Sequence, residues 1–166
     1  MAKPVPTPLT IGFELEITLI PKSPTQIPGF LEADRDTSGS DARRIKRHNS
    51  VLIHAFIEDA LNPIRPRSTD PPYLHWTVST DSSIRPTQDF YAVEIQSPKC
   101  TTVDPDAWPK LVSQVFDVLR QSFMLRSEVS CGIHVHTSLA TTSWRLSDLR
   151  SIARAVVMFS GMFTAL

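Results

Sequence analysis

Two carboxylates stand two residues apart at Glu14 and Glu16, and two imidazoles stand two residues apart at His134 and His136. In an extended chain that spacing puts both members of a pair on one face, with Cα atoms roughly 6 to 7 Å apart. Carboxylates at this separation can share hard cations held between or beside them, and an oxygen-rich donor set favours Mg2+ or Mn2+. Two imidazoles can bind one metal together, or one can bind metal while the other donates to a phosphate. The plainer alternatives are solvated glutamates on an open sheet face and a half-buried polar histidine pair. A zinc reading is possible, but a closed structural zinc site has little support, because the chain has neither a helical His-Glu-x-x-His nor a Cys-x-x-Cys.

Glu94 and Asp81 extend the set. Glu94 lies between Val93 and Ile95 in a strand pattern, where an ionised group needs a partner if the face is covered and none if it is open to water. Asp81 opens the run Asp81-Ser82-Ser83, which reads equally well as a turn held by side-chain hydrogen bonds. His48, His54 and His75 read as structural or solvated.

These residues need elements to hold them. Ile11, Phe13, Leu15, Ile17 and Leu19 alternate with Gly12, Glu14, Glu16 and Thr18, which predicts a half-buried strand over 11–20. A stretch rich in Pro, Gly, Ser and Thr predicts a long, flexible surface insertion at about 21–40. Helical spacing of Ile45, Leu52, Ala55, Phe56 and Ala60 follows Asp41 as N-cap and ends at Asn62-Pro63. Strands are predicted over 73–79 and 90–96, able to pair as a hairpin. An amphipathic helix follows Asp106, with Trp108, Leu111, Val112, Val115, Leu119 and Phe123 facing the sheet's apolar side and Pro109 in its first turn. A strand over 129–138 sets Cys131, Ile133 and Val135 against Gly132, His134 and His136, and a last helix starts at Ser147. The order implies an α+β fold with helices packed on one face of a sheet and the acids and histidines on the other.

The chain of 166 residues is the size of one domain, read as an arm over 1–10 and a domain over 11–166. With 41% hydrophobic and 20% charged residues its composition is that of a globular protein. Seventeen basic and seventeen acidic residues cancel, leaving no net field to draw it to nucleic acid or an anionic membrane. No apolar run approaches the roughly 20 residues of a membrane span. Cys100 and Cys131 read as free thiols and no secretory signal opens the chain, so a cytoplasmic location is expected. The apolar stretch over 147–166 ends without a polar stop. The expectation is a chain incomplete at its C-terminus, able to self-associate through that helix.

Taken in order, Gly12-Phe13-Glu14-Leu15-Glu16, Trp76 with Asp81-Ser82-Ser83, Glu94-Ile95-Gln96-Ser97-Pro98 and Cys131-Gly132-Ile133-His134-Val135-His136 resemble the motifs of the amidoligase family. That family is similar in fold to glutamine synthetase and glutamate-cysteine ligase, whose antiparallel sheet carries Glu-x-Glu on one strand and Gly-x-His-x-His on another. The resemblance implies a partial glutamine synthetase-like fold and an ATP- and Mg2+-dependent ligase joining a small-molecule or peptide carboxylate to an amine. It implies that Glu14, Glu16, Asp81, Glu94 and His134 hold two or more Mg2+ or Mn2+ ions and that His136 approaches the ATP phosphates. It assigns no residue a catalytic role. Two other readings stay open: a metal-dependent hydrolase using the same cluster to activate water, and a catalytically inactive, truncated binding domain.

Overall fold

The computed structural model describes residues 8–32, 39–63, 73–87, 89–104 and 106–163, and side chains as far as 158. Most of the predicted N-terminal arm and residues 33–38 of the predicted insertion lie outside the described residues.

The alternating segment at the start of the chain becomes the long strand β1 (Leu9–Pro21), and the sheet is assembled around it. On one side β1 pairs with β3 (Tyr91–Gln96) and β4 (Cys100–Thr101), and β2 (Thr77–Ser79) adds to β3. On the other side it pairs with β5 (Phe123–Arg126) and β6 (Gly132–Leu139). All of these pairings are antiparallel, so the α+β class and the antiparallel sheet stand.

Partners across a ladder point to the same face. Phe13, Leu15, Ile17 and Leu19 of β1 therefore share a face with Val93 and Ile95 of β3, and all six are buried. Helix α1 (Gly39–Leu61) covers that face with Ile53, Ile57 and Leu61, a ridge at intervals of four, and α2 (Ala107–Ser122) adds Val115 and Leu119. Phe13 meets Trp76 and Trp108 edge-on, at centroid distances of 5.7 and 5.1 Å.

Part of the predicted insertion is anchored to this layer. Ile27 is buried, His48 Nε2 lies 3.1 Å from the Gly29 carbonyl, and Asn49 bonds both the N–H and the carbonyl of Leu31. Asn49 is itself 1% exposed and also donates to Tyr91 Oη at 3.0 Å. Asn49→Ala strips one polar partner from each of three groups, and we expect a loss of about 2 to 3 kcal/mol. Urea unfolding tests this: the midpoint falls with the slope unchanged.

Burial holds the imidazole of His54 on α1 below its ordinary pKa, and a hydrogen bond to the Ala92 backbone opposes that shift. A histidine that folds in its neutral form binds protons more readily when the chain is unfolded. Its stabilising contribution is therefore present at neutral pH and is lost as pH falls through about 6.5, the unfolded value. We expect melting temperature to fall between pH 7.5 and 5.5 by more in the wild type than in His54→Gln.

The structure corrects the sequence reading at several points. The strand expected over 73–79 is extended only at Thr77–Ser79. Tyr73 adopts a left-handed φ of 65°, and the backbone N–H and carbonyl of Trp76 are both bonded by the Asn62 side chain rather than by a strand. Helix α2 stops at Ser122, and Phe123 turns extended at φ −129°, ψ 149° to open β5, a strand the helical pattern concealed. The strand expected from residue 129 begins at Gly132, because a turn closed by Cys131 N–H on the Glu128 carbonyl precedes it. Asp41 is not an N-cap: the helix begins at Gly39, with Asp41 in its first turn beside Arg44.

Helix α3 (Leu146–Phe163) does not join the covering layer. Its Leu149, Ile152 and Val156 are exposed, and on β6 so are Ile133 and Val135, at 59% and 55%. Helices on the apolar face thus means α1 and α2 only. No helix among the described residues is long and apolar enough to cross a membrane, and Cys100 and Cys131 are both free thiols.

Candidate functional site

The face of the sheet away from α1 and α2 carries the polar halves of the alternating patterns. Register arranges them in rows. Glu14 lies between Gln96 on β3 and His134 on β6, and Thr77 on β2 lies beyond Gln96. One step along, Glu16 lies between Glu94 and Gly132, with Ser79 beyond Glu94. A third row sets Gly12 against His136. Four segments far apart in sequence thus meet because the central strand pairs on both edges.

Two glycines open space within this lattice. Gly12 carries no side chain opposite His136, and the imidazole leans along the strand to bring Nε2 within 3.0 Å of Glu14 Oε2. Gly132 has none opposite Glu16, and a Cβ there would lie 3.5 Å from Glu16 Oε2 and 3.7 Å from His134 Nε2, in the space between the two. His134 Nδ1 lies 3.6 Å from Glu14 Oε2 and 3.8 Å from Glu16 Oε1, too long for hydrogen bonds but bracketing both acids.

Glu94 and Glu14 are linked through Gln96, whose amide nitrogen donates to Glu94 Oε1 at 3.1 Å and to Glu14 Oε1 at 3.3 Å. Thr77 holds that amide's oxygen at 3.1 Å, and Ser79 donates to Glu94 Oε2 at 3.0 Å. Gln96 and Ser79 were not picked out from the sequence, although the period of two running from Glu94 marks Gln96 as a neighbour on the same face.

Asp81 follows β2 and comes to the Glu16 end of the rows. The Ser83 backbone N–H, 2.6 Å from Oδ1, holds its carboxyl below the ordinary value. The Ser83 hydroxyl acts in the same direction, and so, more weakly, do the neighbouring Glu16 carboxyl and the attraction of His134. Asp81 therefore both closes the turn and belongs to the cluster.

Glu14, Glu16, Asp81, Glu94, His134 and His136 accordingly come from four segments to one patch. His48, His54 and His75 are elsewhere: His48 and His54 lie on α1, and His75 lies in the turn before β2. Among the described residues neither Lys nor Arg pairs with any of the four acids. Glu16 is only 8% exposed and faces Glu94 directly across the ladder, an arrangement that like charges oppose. The donor set, four carboxylates with two imidazoles, has the chemistry that Mg2+ or Mn2+ takes. As the side chains stand, no three acids or histidines among the described residues converge on a point that would hold an ion. Glu14 is engaged by His136 and Gln96, and Glu94 by Ser79 and Gln96. Loading a cation on this face means exchanging those contacts by side-chain rotation, with the backbone rows unchanged.

A family model described as "Putative amidoligase enzyme" matches residues 7–166. No protein of curated function and no solved structure matches the chain.

Proposed function

Because the chain belongs to the amidoligase family, we propose that it is an ATP- and Mg2+-dependent ligase that joins a carboxylate to an amine. In this reading its sheet is part of a glutamine synthetase-like catalytic fold. The observation that carries the proposal is the row of acids Glu14, Glu16 and Glu94 on adjacent strands, with Asp81 at their end, histidines as their neighbours and neither Lys nor Arg paired to them among the described residues.

We assign Glu14, Glu16, Asp81, Glu94 and His134 to the cations and His136 to the nucleotide phosphates. Cations held there would neutralise the charge that builds as the γ-phosphoryl group leaves ADP for a substrate carboxylate oxygen. The amine would then attack the acyl carbon of the resulting acyl phosphate, forming the C–N bond as the acyl C–O bond breaks, with phosphate leaving and the proton shed by nitrogen passing to it or to solvent. Gln96 and Ser79 hold Glu94, and Gln96 also holds Glu14, contacts that a cation would replace while the sheet keeps the backbone positions of the acids. His136 offers an N–H donor once Glu14 turns from it toward a cation. The free thiols of Cys100 and Cys131 agree with work in the cytoplasm.

The test is the melting temperature of the purified chain with Mn2+, with ATP and with both. Ligand at a hundred times Kd stabilises by about 2.7 kcal/mol, which in a chain of this size raises melting by about 5 to 10 °C. A rise that needs both components supports the ligase. A rise with metal alone, indifferent to ATP, favours a hydrolase instead, and no rise under any condition removes the proposal.

A further inference from the structure

We infer that Lys99, laid against the ring of Tyr73, is the specificity residue of this site: it takes a second negative group on the carboxylate substrate. The inference rests on the ligase reading and adds the substrate class, a small acid with two anionic ends.

Beside the acidic rows lies a cleft of about 240 Å3, whose lining runs from Glu14 and His136 past Gln96 and Ser138 to Lys99 and Tyr73. One end is thus the candidate metal face and the other is a cation. The Lys99 Nζ sits 4.1 Å from the centroid of the Tyr73 ring. Among the described residues no carboxylate pairs with it. The ammonium is held over an aromatic face in the lining of the cleft.

Tyr73 is held there against its own preference. It is the one non-glycine residue with positive φ among the described residues, at 65°, a region that costs a bulky side chain of order 1 to 3 kcal/mol. Its carbonyl accepts the Lys99 backbone N–H at 2.9 Å, so the turn before β2 and the end of β3 are tied at this point and bring ring and ammonium together. Gly12 leaves the floor open: a Cβ there would touch Ser97 Oγ at 3.7 Å and Lys99 Cγ at 4.0 Å. The cleft is below the range of sites for drug-sized ligands. It suits a molecule of a dozen or so atoms.

Isothermal titration in Mn2+ buffer with glutarate, butyrate and inorganic phosphate tests the idea on the wild type, Lys99→Met and Lys99→Arg. Lys99 is exposed, so both variants fold. The wild type should bind glutarate at least tenfold more tightly than butyrate, Lys99→Met should lose that preference, and Lys99→Arg should keep most of it. Equal glutarate binding in Lys99→Met and wild type, absence of glutarate binding altogether, or binding of phosphate in place of glutarate each overturns the inference. The melting shift with Mn2+ and ATP should be the same in Lys99→Met as in wild type. If that shift is present and glutarate discrimination is absent, only the Lys99 role fails. If the shift is absent and discrimination is present, the ligase reading fails and the anion subsite stands.

Discussion

Glu14→Gln combined with Glu16→Gln is expected to reduce the rise in melting temperature given by Mn2+ with ATP from about 5 to 10 °C to about 1 °C or less. The ligand-free chain should melt no lower than wild type. Gln keeps the volume of Glu and can still accept from Gln96, so the row remains filled. What disappears is the charge, and with it the opposition of Glu16 to Glu94 across the ladder. The contact of Glu14 with His136 weakens too, but it lies on a half-open face, where such pairs contribute little. Unliganded stability and ligand response should therefore move independently, which a folding defect cannot imitate. His134→Ala, which removes a ring bracketing both acids, should lower the response by a smaller amount. Retention of the full response in the double glutamine variant would mean that the cations and nucleotide bind elsewhere on the chain.

The acids and histidines of the candidate site were legible because their signals are local. A period of two over residues 11–20 assigned Glu14 and Glu16 to one face, and the same period placed Glu94, and His134 with His136, on their own strands. What periodicity could not supply was which strand neighbours which. Glu14 beside His134, and Glu16 beside Glu94, follow from register along a strand paired on both edges. The register of β1 with β3 is fixed by burial of the opposite face, where Leu15 is set against Ile95.

Two of the misread elements share one cause, a tertiary partner that overrides a local pattern. Phe123 stands four residues after Leu119 and continues a helical stripe, yet it pairs with Pro21 and buries its ring from a strand. Leu74, Trp76 and Val78 alternate as a strand would, but Asn62, at the end of a helix, takes both backbone groups of Trp76. Lys99 and Tyr73 gave no pattern at all, since their pairing depends on a backbone bond across a turn and on an unusual φ. The apolar residues of β6 and α3 were legible as apolar, and their composition alone did not reveal that this fold leaves them exposed.

Phe13→Ala should be the most damaging single change in the core, at about 3 to 5 kcal/mol, against the 5 to 15 kcal/mol that a domain ordinarily has. Phe13 is 4% exposed and wedged edge-on between Trp76 and Trp108, so truncation removes two aromatic contacts and leaves a gap that neither rigid indole can close. Phe13→Leu, which keeps most of the volume, should cost roughly 1 to 1.5 kcal/mol. Urea midpoints would measure both. The same residue also tests whether the two faces of β1 do separate work. Its backbone is clamped from β3, because its N–H donates to Ser97 Oγ and its carbonyl accepts Ser97 N–H, each at 2.9 Å. Neither bond depends on the ring. Glu14, the next residue, should therefore keep its place beside His134 and Gln96 in Phe13→Ala at temperatures where the variant is folded. The variant should melt far lower than wild type and still respond to Mn2+ with ATP by a similar number of degrees. If the response vanished along with the stability, the acids would depend on core packing for their placement and the backbone ladder would be insufficient to hold them.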